Sequence, residues 1–300
     1  MSQNSKKEKR GPARRKKYGK HLLFRIVFCL LILAVLISAY ALFAEPKMLT
    51  EKTAIYSSEK LNDTPEKITI AIFADTHFSE YYTPANFQKA VRKINEAHPD
   101  FIFFLGDLID DFSAYEGDIH EVERALASLQ AGTAKIAVFG NHDYGGKMEF
   151  RYPDVMEAGG FQLLVNEKAD FDAYNLTVFG IDDMVIGYGD PQAADRLAED
   201  RYNVVLCHEP DVADELTGTA ADLMLSGHTH GRQVNLRIFD RYILPVYGKK
   251  YVKGRYRLDK SDGGELSLYV TGGIGTTKVP VRFGSPPEIN IIELEKFPES

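Results

Sequence analysis

Asp75-Thr-His77, Gly106-Asp107-Leu-Ile-Asp110, Gly140-Asn141-His142-Asp143, a single His208 and Gly227-His228-Thr229-His230 follow one another along the chain. Their carboxylate, imidazole and amide oxygens are enough to ligate two adjacent divalent cations. An all-thiolate set would favour zinc alone, whereas this mixed set accepts Mn, Fe or Zn. A carboxylate has two oxygens and can link ions roughly 3.5–4 Å apart, as a two-metal hydrolytic site needs. Such a site suits phosphoesters, which are anionic and repel hydroxide. It must lower the pKa of water and offset charge on the phosphate, so that a hydroxide bridging the ions can attack in line. One histidine near a strand end is usually structural, but five of the eight histidines fall on these motifs. The coincidence argues for ligation or catalysis.

The motifs span Asp75 to His230, so only folding can gather them. Ile68–Phe73 is β-rich and ends just before Asp75, and Phe101–Leu105 is a short apolar run ending at Gly106-Asp107. Ile136–Phe139 ends at Gly140-Asn141, and Asn203–Cys207 and Leu223–Leu225 end just before His208 and His228. Phe87, Val91 and Ile94 share one face of a predicted helix over 86–97, and Val122, Leu126 and Leu129 one over 120–129. Further strands are predicted at 176–180, 266–271 and 289–294. Short apolar strands alternating with helices imply an α/β fold with a buried, parallel or mixed sheet. Ligands bind at the carboxyl ends of such strands, where every motif lies.

In order and spacing the string resembles the calcineurin-like metallophosphoesterases, whose D-x-H, G-D-x-x-D, G-N-H-[DE], H and G-H-x-H elements are all met between Ile68 and Leu294. Gly227-His-Thr-His-Gly231 and the tail Tyr269-Val-Thr-Gly-Gly-Ile-Gly275 look like a narrower branch of bacterial membrane-associated phosphodiesterases, similar to UDP-2,3-diacylglucosamine hydrolases. The resemblance implies a four-layer αββα sandwich of two mixed β-sheets flanked by helices. It implies one ion on Asp75, His77, Asp107 and His230, and a second on Asp107, Asn141, His208 and His228, with Asp107 bridging. His142 is assigned to transition-state stabilisation and proton delivery to the leaving oxygen. Asp143 would orient His142, and Asp110 would support a ligand imidazole; their plain alternatives are a turn residue and a loop acid. Arg232 stands where many relatives have glycine, and either grips a substrate phosphate or faces solvent.

Residues 1–25 hold ten Lys/Arg against Glu8 alone, while the other 275 residues carry 26 basic and 42 acidic groups. That acidic body excludes general nucleic-acid binding. The uncharged run Ile26–Ala44 is long enough to cross a membrane, and the positive-inside rule sets residues 1–25 in the cytoplasm. We read 26–44 as a signal-anchor in a bacterial cell membrane, 45–67 as a linker and 68–300 as an extracytoplasmic domain. A cleaved signal is the rival reading, since Ala39-Tyr-Ala41 and Phe43-Ala44 resemble cleavage sites, but the run exceeds a usual signal core. Cys29 lies in the span and Cys207 beside His208, so no disulfide is expected. Basic residues from Arg237 to Arg257, interleaved with tyrosines, form either an anion-attracting surface or a solvated face. Only eight residues separate His142 from Arg151, so the pocket is expected to be open, with Tyr144, Lys147, Phe150 or Tyr152 at its rim.

These readings converge on a metal-dependent phosphoester hydrolase acting on a phosphodiester or pyrophosphate, such as a lipid-linked or nucleotide-linked one. The alternative from the branch is a UDP-2,3-diacylglucosamine pyrophosphatase of lipid A synthesis, whose substrate is expected on the cytoplasmic face, opposite to this domain. A metal-stabilised scaffold without catalysis would show broken ligands, and none is broken.

Overall fold

The computed structural model describes residues 12–62 and 64–297, with the side chains of 12–20, 239 and 241 outside that description. The first part of the basic head, residues 1–11, therefore lies outside the described residues. Helix α1, Pro12–Ala39, runs on through a wider π turn to Ala44, and its apolar side chains from Leu22 to Phe43 are largely exposed. Among the described residues it is the one helix long and apolar enough to cross a membrane.

Two six-stranded sheets follow. The first has the order β1-β12-β2-β3-β4-β5, from β1 (Thr50–Ser58), β2 (Lys67–Phe73), β3 (Phe101–Phe104), β4 (Ala134–Ala137), β5 (Gln162–Leu163) and β12 (Glu288–Lys296). The second has the order β10-β11-β9-β8-β7-β6, from β6 (Glu167–Phe171), β7 (Leu176–Gly180), β8 (Tyr202–Leu206), β9 (Leu223–Ser226), β10 (Gly254–Asp259) and β11 (Glu265–Val270). Both are mixed: β2 to β5 run parallel with β12 antiparallel to β2, and β7, β8, β9 and β11 run parallel between antiparallel edges β6 and β10.

Alternation along each strand builds the layers. Ala71, Phe73, Ile102 and Phe104 face helices α2 (Pro84–Glu96), α3 (Ile119–Ala127) and α4 (Tyr152–Ala158), while Ile70, Ile72, Phe101 and Phe103 face the second sheet. There they meet Val178, Val204, Leu206 and Leu225. The outermost layer, over Phe179, Val205 and Met224, comes from short 3-10 turns at Pro191–Arg196 and Pro210–Leu216 rather than long α-helices. The expected sandwich is thus present, with its fourth layer thinner than the resemblance implied.

Residues 45–67 differ from the expected linker. Nine of them form β1, which pairs parallel with β12 from Thr50–Glu288 to Ser58–Lys296. The strand escaped notice because its pattern is that of a wet edge: only Ala54 is buried within it. Tyr152, expected at the pocket rim, is instead fully buried and donates from its hydroxyl to the Val138 carbonyl at 2.7 Å.

Candidate metal centre

The parallel strands of both sheets end at one rim, and the motif residues sit just beyond those ends. After β2 and β3 the ladder continues through the loops: Asp75 donates its N–H to the Gly106 carbonyl at 3.0 Å, His77 to Asp107 at 3.2 Å and Phe78 to Leu108 at 2.8 Å. These bonds hold an unusual backbone. Asp75, His77, Asp107, His228 and His230 all have positive φ, between 42° and 71°. Each such residue costs roughly 1–2 kcal/mol relative to ordinary backbone, a strain characteristic of functional sites. Packing here also demands glycine: a Cβ on Gly106 would lie 2.5 Å from the Gly140 nitrogen, and one on Gly140 would lie 2.4 Å from Asp107 Oδ1.

Three overlapping groups of possible ligand atoms result, the atoms within each lying within 4.8 Å of one another. His77, Asp107 and His142 share members with the two flanking groups, Asp75, His77 and His230 on one side and Asp107, His208 and His228 on the other. Asp107 Oδ2 reaches both, at 3.3 Å from His77 Nε2 and 3.1 Å from His208 Nε2. His230 Nε2 lies 3.0 Å from His77 Nε2 and 3.5 Å from Asp75 Oδ1. Two imidazole nitrogens at that separation share one proton between a donor and an acceptor, or both turn lone pairs to a cation beside the Asp75 carboxylate.

The donor set fits divalent cations on its own evidence. Asp75 Oδ2, Asn141 Oδ1 and His208 Nε2 are buried with no hydrogen-bond partner, which is costly unless something else satisfies them. The imidazoles are pre-set for it. His208 Nδ1 bonds the Leu105 carbonyl at 2.6 Å and His228 Nε2 the Val246 carbonyl at 2.8 Å, leaving the opposite nitrogens to ligate. Burial resists protonation of His77, but bonds to Asp107 and Asp110 outweigh it and push it up to about 9. Burial and the charge of His208 press His228 down to about 4. Burial works against the Asp107 charge, but His208 and His142 prevail and hold its carboxyl well below the usual range. Asp107 is therefore the anionic centre of the cluster.

Asp110 Oδ1 lies 3.0 Å from His77 Nδ1 and also accepts from the Thr277 hydroxyl at 2.7 Å. Asp143 does something other than expected. Its carboxylate faces away from the His142 ring and accepts the backbone N–H groups of Asp107, Leu108 and Gly140 at 2.8–2.9 Å, clamping the loop that carries Asp107. His142 is oriented instead by the Asp110 carbonyl, 2.5 Å from Nδ1, while its own N–H bonds Asp107 Oδ1. Asn141 and His142 line two adjoining pockets, of about 460 and 390 Å³.

Arg232 lines the smaller pocket but is gripped by Asp240 through two 2.8 Å bonds, so its charge is already matched. Lys278 was missed. It lines both pockets, is exposed and has no ion-pair partner among the described residues. Its only sequence signal was its place just after the Gly-rich tail. Part of the basic stretch is neutralised: Lys250 pairs with Asp214, Lys253 with Glu288 and Arg257 with Glu265, while Arg255 covers Tyr56.

Comparison with known proteins agrees with this geometry. The calcineurin-like phosphoesterase family model matches residues 68–232. The uncharacterized metallophosphoesterase YkuE of Bacillus subtilis is 34% identical over 260 residues, covering 85% of this chain and 89% of its own. Phosphodiesterase YaeI of Escherichia coli is 29% identical, covering 77% and 84%. A zebrafish transmembrane protein with a metallophosphoesterase domain is 24% identical, covering 91% and 63%. The chain belongs to the calcineurin-like metallophosphoesterases, metal-dependent hydrolases of phosphoric esters.

Proposed function

We propose that this protein hydrolyses a phosphodiester or pyrophosphate, using Asp75, His77, Asp107 and His230 for one divalent ion and Asp107, Asn141, His208 and His228 for the other. The single observation carrying the reading is the shared Asp107 Oδ2, within 3.3 Å of an imidazole from each ligand group. When bound, the ions supply a lowered water pKa and charge compensation for the phosphate. The protein's own residues do the rest. His142 lines the pocket with its Nδ1 tied to the Asp110 carbonyl, which leaves Nε2 to donate a proton to the leaving oxygen. Lys278 at the rim attracts the anionic ester.

The Escherichia coli relative is named a phosphodiesterase, which supports the diester preference. An apolar wall of Ile243 and Val279 favours a substrate with an acyl or aryl group. The same wall lends support to the second reading, a UDP-2,3-diacylglucosamine pyrophosphatase, although the positive-inside charge of residues 1–25 sets the domain on the outer face. Release of nitrophenol from bis-p-nitrophenyl phosphate by the Mn²⁺-loaded chain tests the reading. Turnover that collapses in Asp107→Asn supports it. No turnover on mono-, di- or pyrophosphate esters by fully loaded protein would contradict it.

A further inference from the structure

A cavity apart from the metal pockets, of about 680 Å³, opens between the carboxyl end of the apolar span and the catalytic domain. Leu42, Phe43 and Pro46 form one wall and Tyr81 and Tyr82 another, so the cavity begins where an apolar run of membrane-crossing length ends. The third wall is the solvent side of α2. Its inner stripe, Phe87, Ala90, Val91 and Ile94, is buried in the core, which leaves Asn86, Lys89 and Arg92 on the face that lines the cavity.

The charge here is concentrated and largely uncompensated. Lys47, Lys89 and Arg92 converge on the cavity against one acid, Glu80, and none of the three has an ion-pair partner among the described residues. Lys89 Nζ bonds the Lys47 carbonyl at 3.1 Å, drawing the two basic walls together. This occurs in a body that is otherwise strongly acidic. The entrance is fixed in place: Arg282 donates its N–H to the Ala41 carbonyl at 3.0 Å, and Ser285 donates to buried Glu45 at 2.7 Å. The cavity is thus a preformed slot with an apolar floor and a basic rim, set at the depth where a bilayer's headgroups would lie.

We propose that this cavity binds the headgroup and upper acyl chain of an anionic phospholipid from the bilayer that the span enters. Its phosphate sits against Lys47, Lys89 and Arg92, and its glycerol and first methylenes against Leu42, Phe43 and Tyr82. The inference rests on the membrane reading of residues 26–44, not on the hydrolytic one. It also sets the catalytic rim against the membrane, because Ile274, Gly275 and Thr276 line the lipid cavity and the adjoining Thr277 lines the metal pockets.

The test uses the full chain in phosphatidylcholine nanodiscs doped with a photoactivatable phosphatidylglycerol carrying its reactive group near the headgroup. The expected result is labelling of peptides containing Phe43 and Tyr81-Tyr82. That labelling should fall about tenfold or more in a Lys89→Glu/Arg92→Glu double variant, and return with Lys89→Arg/Arg92→Lys. Hydrolysis of a soluble diester should be unchanged in all of them. Equal labelling by a phosphatidylcholine probe, or labelling unaffected by the double substitution, would overturn the proposal. Labelling abolished by excess inorganic phosphate would reassign the cavity to a free anion. A wild-type chain that fails to stay with the nanodiscs would overturn the membrane reading together with this one, whereas a wild-type chain that is labelled yet hydrolyses no diester would contradict the hydrolytic reading and support this one.

Discussion

Asp107 has more to do than any other side chain here. One oxygen of its carboxylate faces two ligand imidazoles and the other accepts the His142 N–H, while its own N–H is held by Asp143. Two neighbouring residues of one motif therefore act on different properties. His142→Ala should lower kcat on bis-p-nitrophenyl phosphate by about 100-fold or more while leaving metal content and Tm close to wild type, because the ring is partly exposed and its loss orphans no buried donor. Asp143→Ala should instead lower Tm and metal retention together. It strips the acceptor from three buried N–H groups, at roughly 1–3 kcal/mol for each donor left unsatisfied. A thermal melt and elemental analysis of both variants separate the roles, and an Asp143→Ala protein as stable as wild type would refute the clamp. Lys278→Ala should raise KM for a diester about tenfold with little change in kcat, as loss of a charged contact made equally in ground and transition states does. Steady-state kinetics over a range of salt concentrations would show it.

At the scale of elements, β1 changes how the domain must be cut and shows what the sequence hid. Fragments beginning near Leu61 would remove β1 and expose the nine-residue flank of β12, an open edge that invites chain-to-chain pairing. We predict that a fragment starting at Leu42 is monomeric and melts cooperatively, while one starting at Leu61 aggregates; size-exclusion chromatography of the two decides it. β2, β3, β7, β8 and β9 are legible because they are largely buried on both faces and read as predominantly apolar runs. β1, β6 and β10 are edges with alternating or largely exposed residues, so their sequences look like linkers and charge runs. The candidate metal ligands stand out in the sequence for the opposite reason, since chemistry fixes their types and spacing. Asp143 misled because its partners are backbone N–H groups, which leave no mark in a sequence, and Arg232 because Asp240 becomes its neighbour only through the fold of the loop between them.

The molecule as a whole joins a membrane-length apolar helix to a catalytic rim through a short run of buried polar bonds. Arg282, fully buried, donates to the carbonyls of Gly272, Gly273, Gly275 and Ser285, and Gly275 in turn bonds the Asp75 carbonyl. Replacing Arg282 with leucine should therefore cost several kcal/mol and disorder both the cavity beneath the helix and the Asp75 ligand, since it would orphan four carbonyls, at about 1–3 kcal/mol for each. Limited proteolysis between 270 and 285, compared with metal retention, would register both effects. The proposed pair of cations on a common carboxylate is the centre of this organisation, and electron paramagnetic resonance of the Mn²⁺-loaded full chain tests it most directly. The account predicts the spectrum of an exchange-coupled pair, reduced to that of isolated ions in Asp107→Asn. A wild-type spectrum of a single uncoupled ion at saturating Mn²⁺ would contradict it.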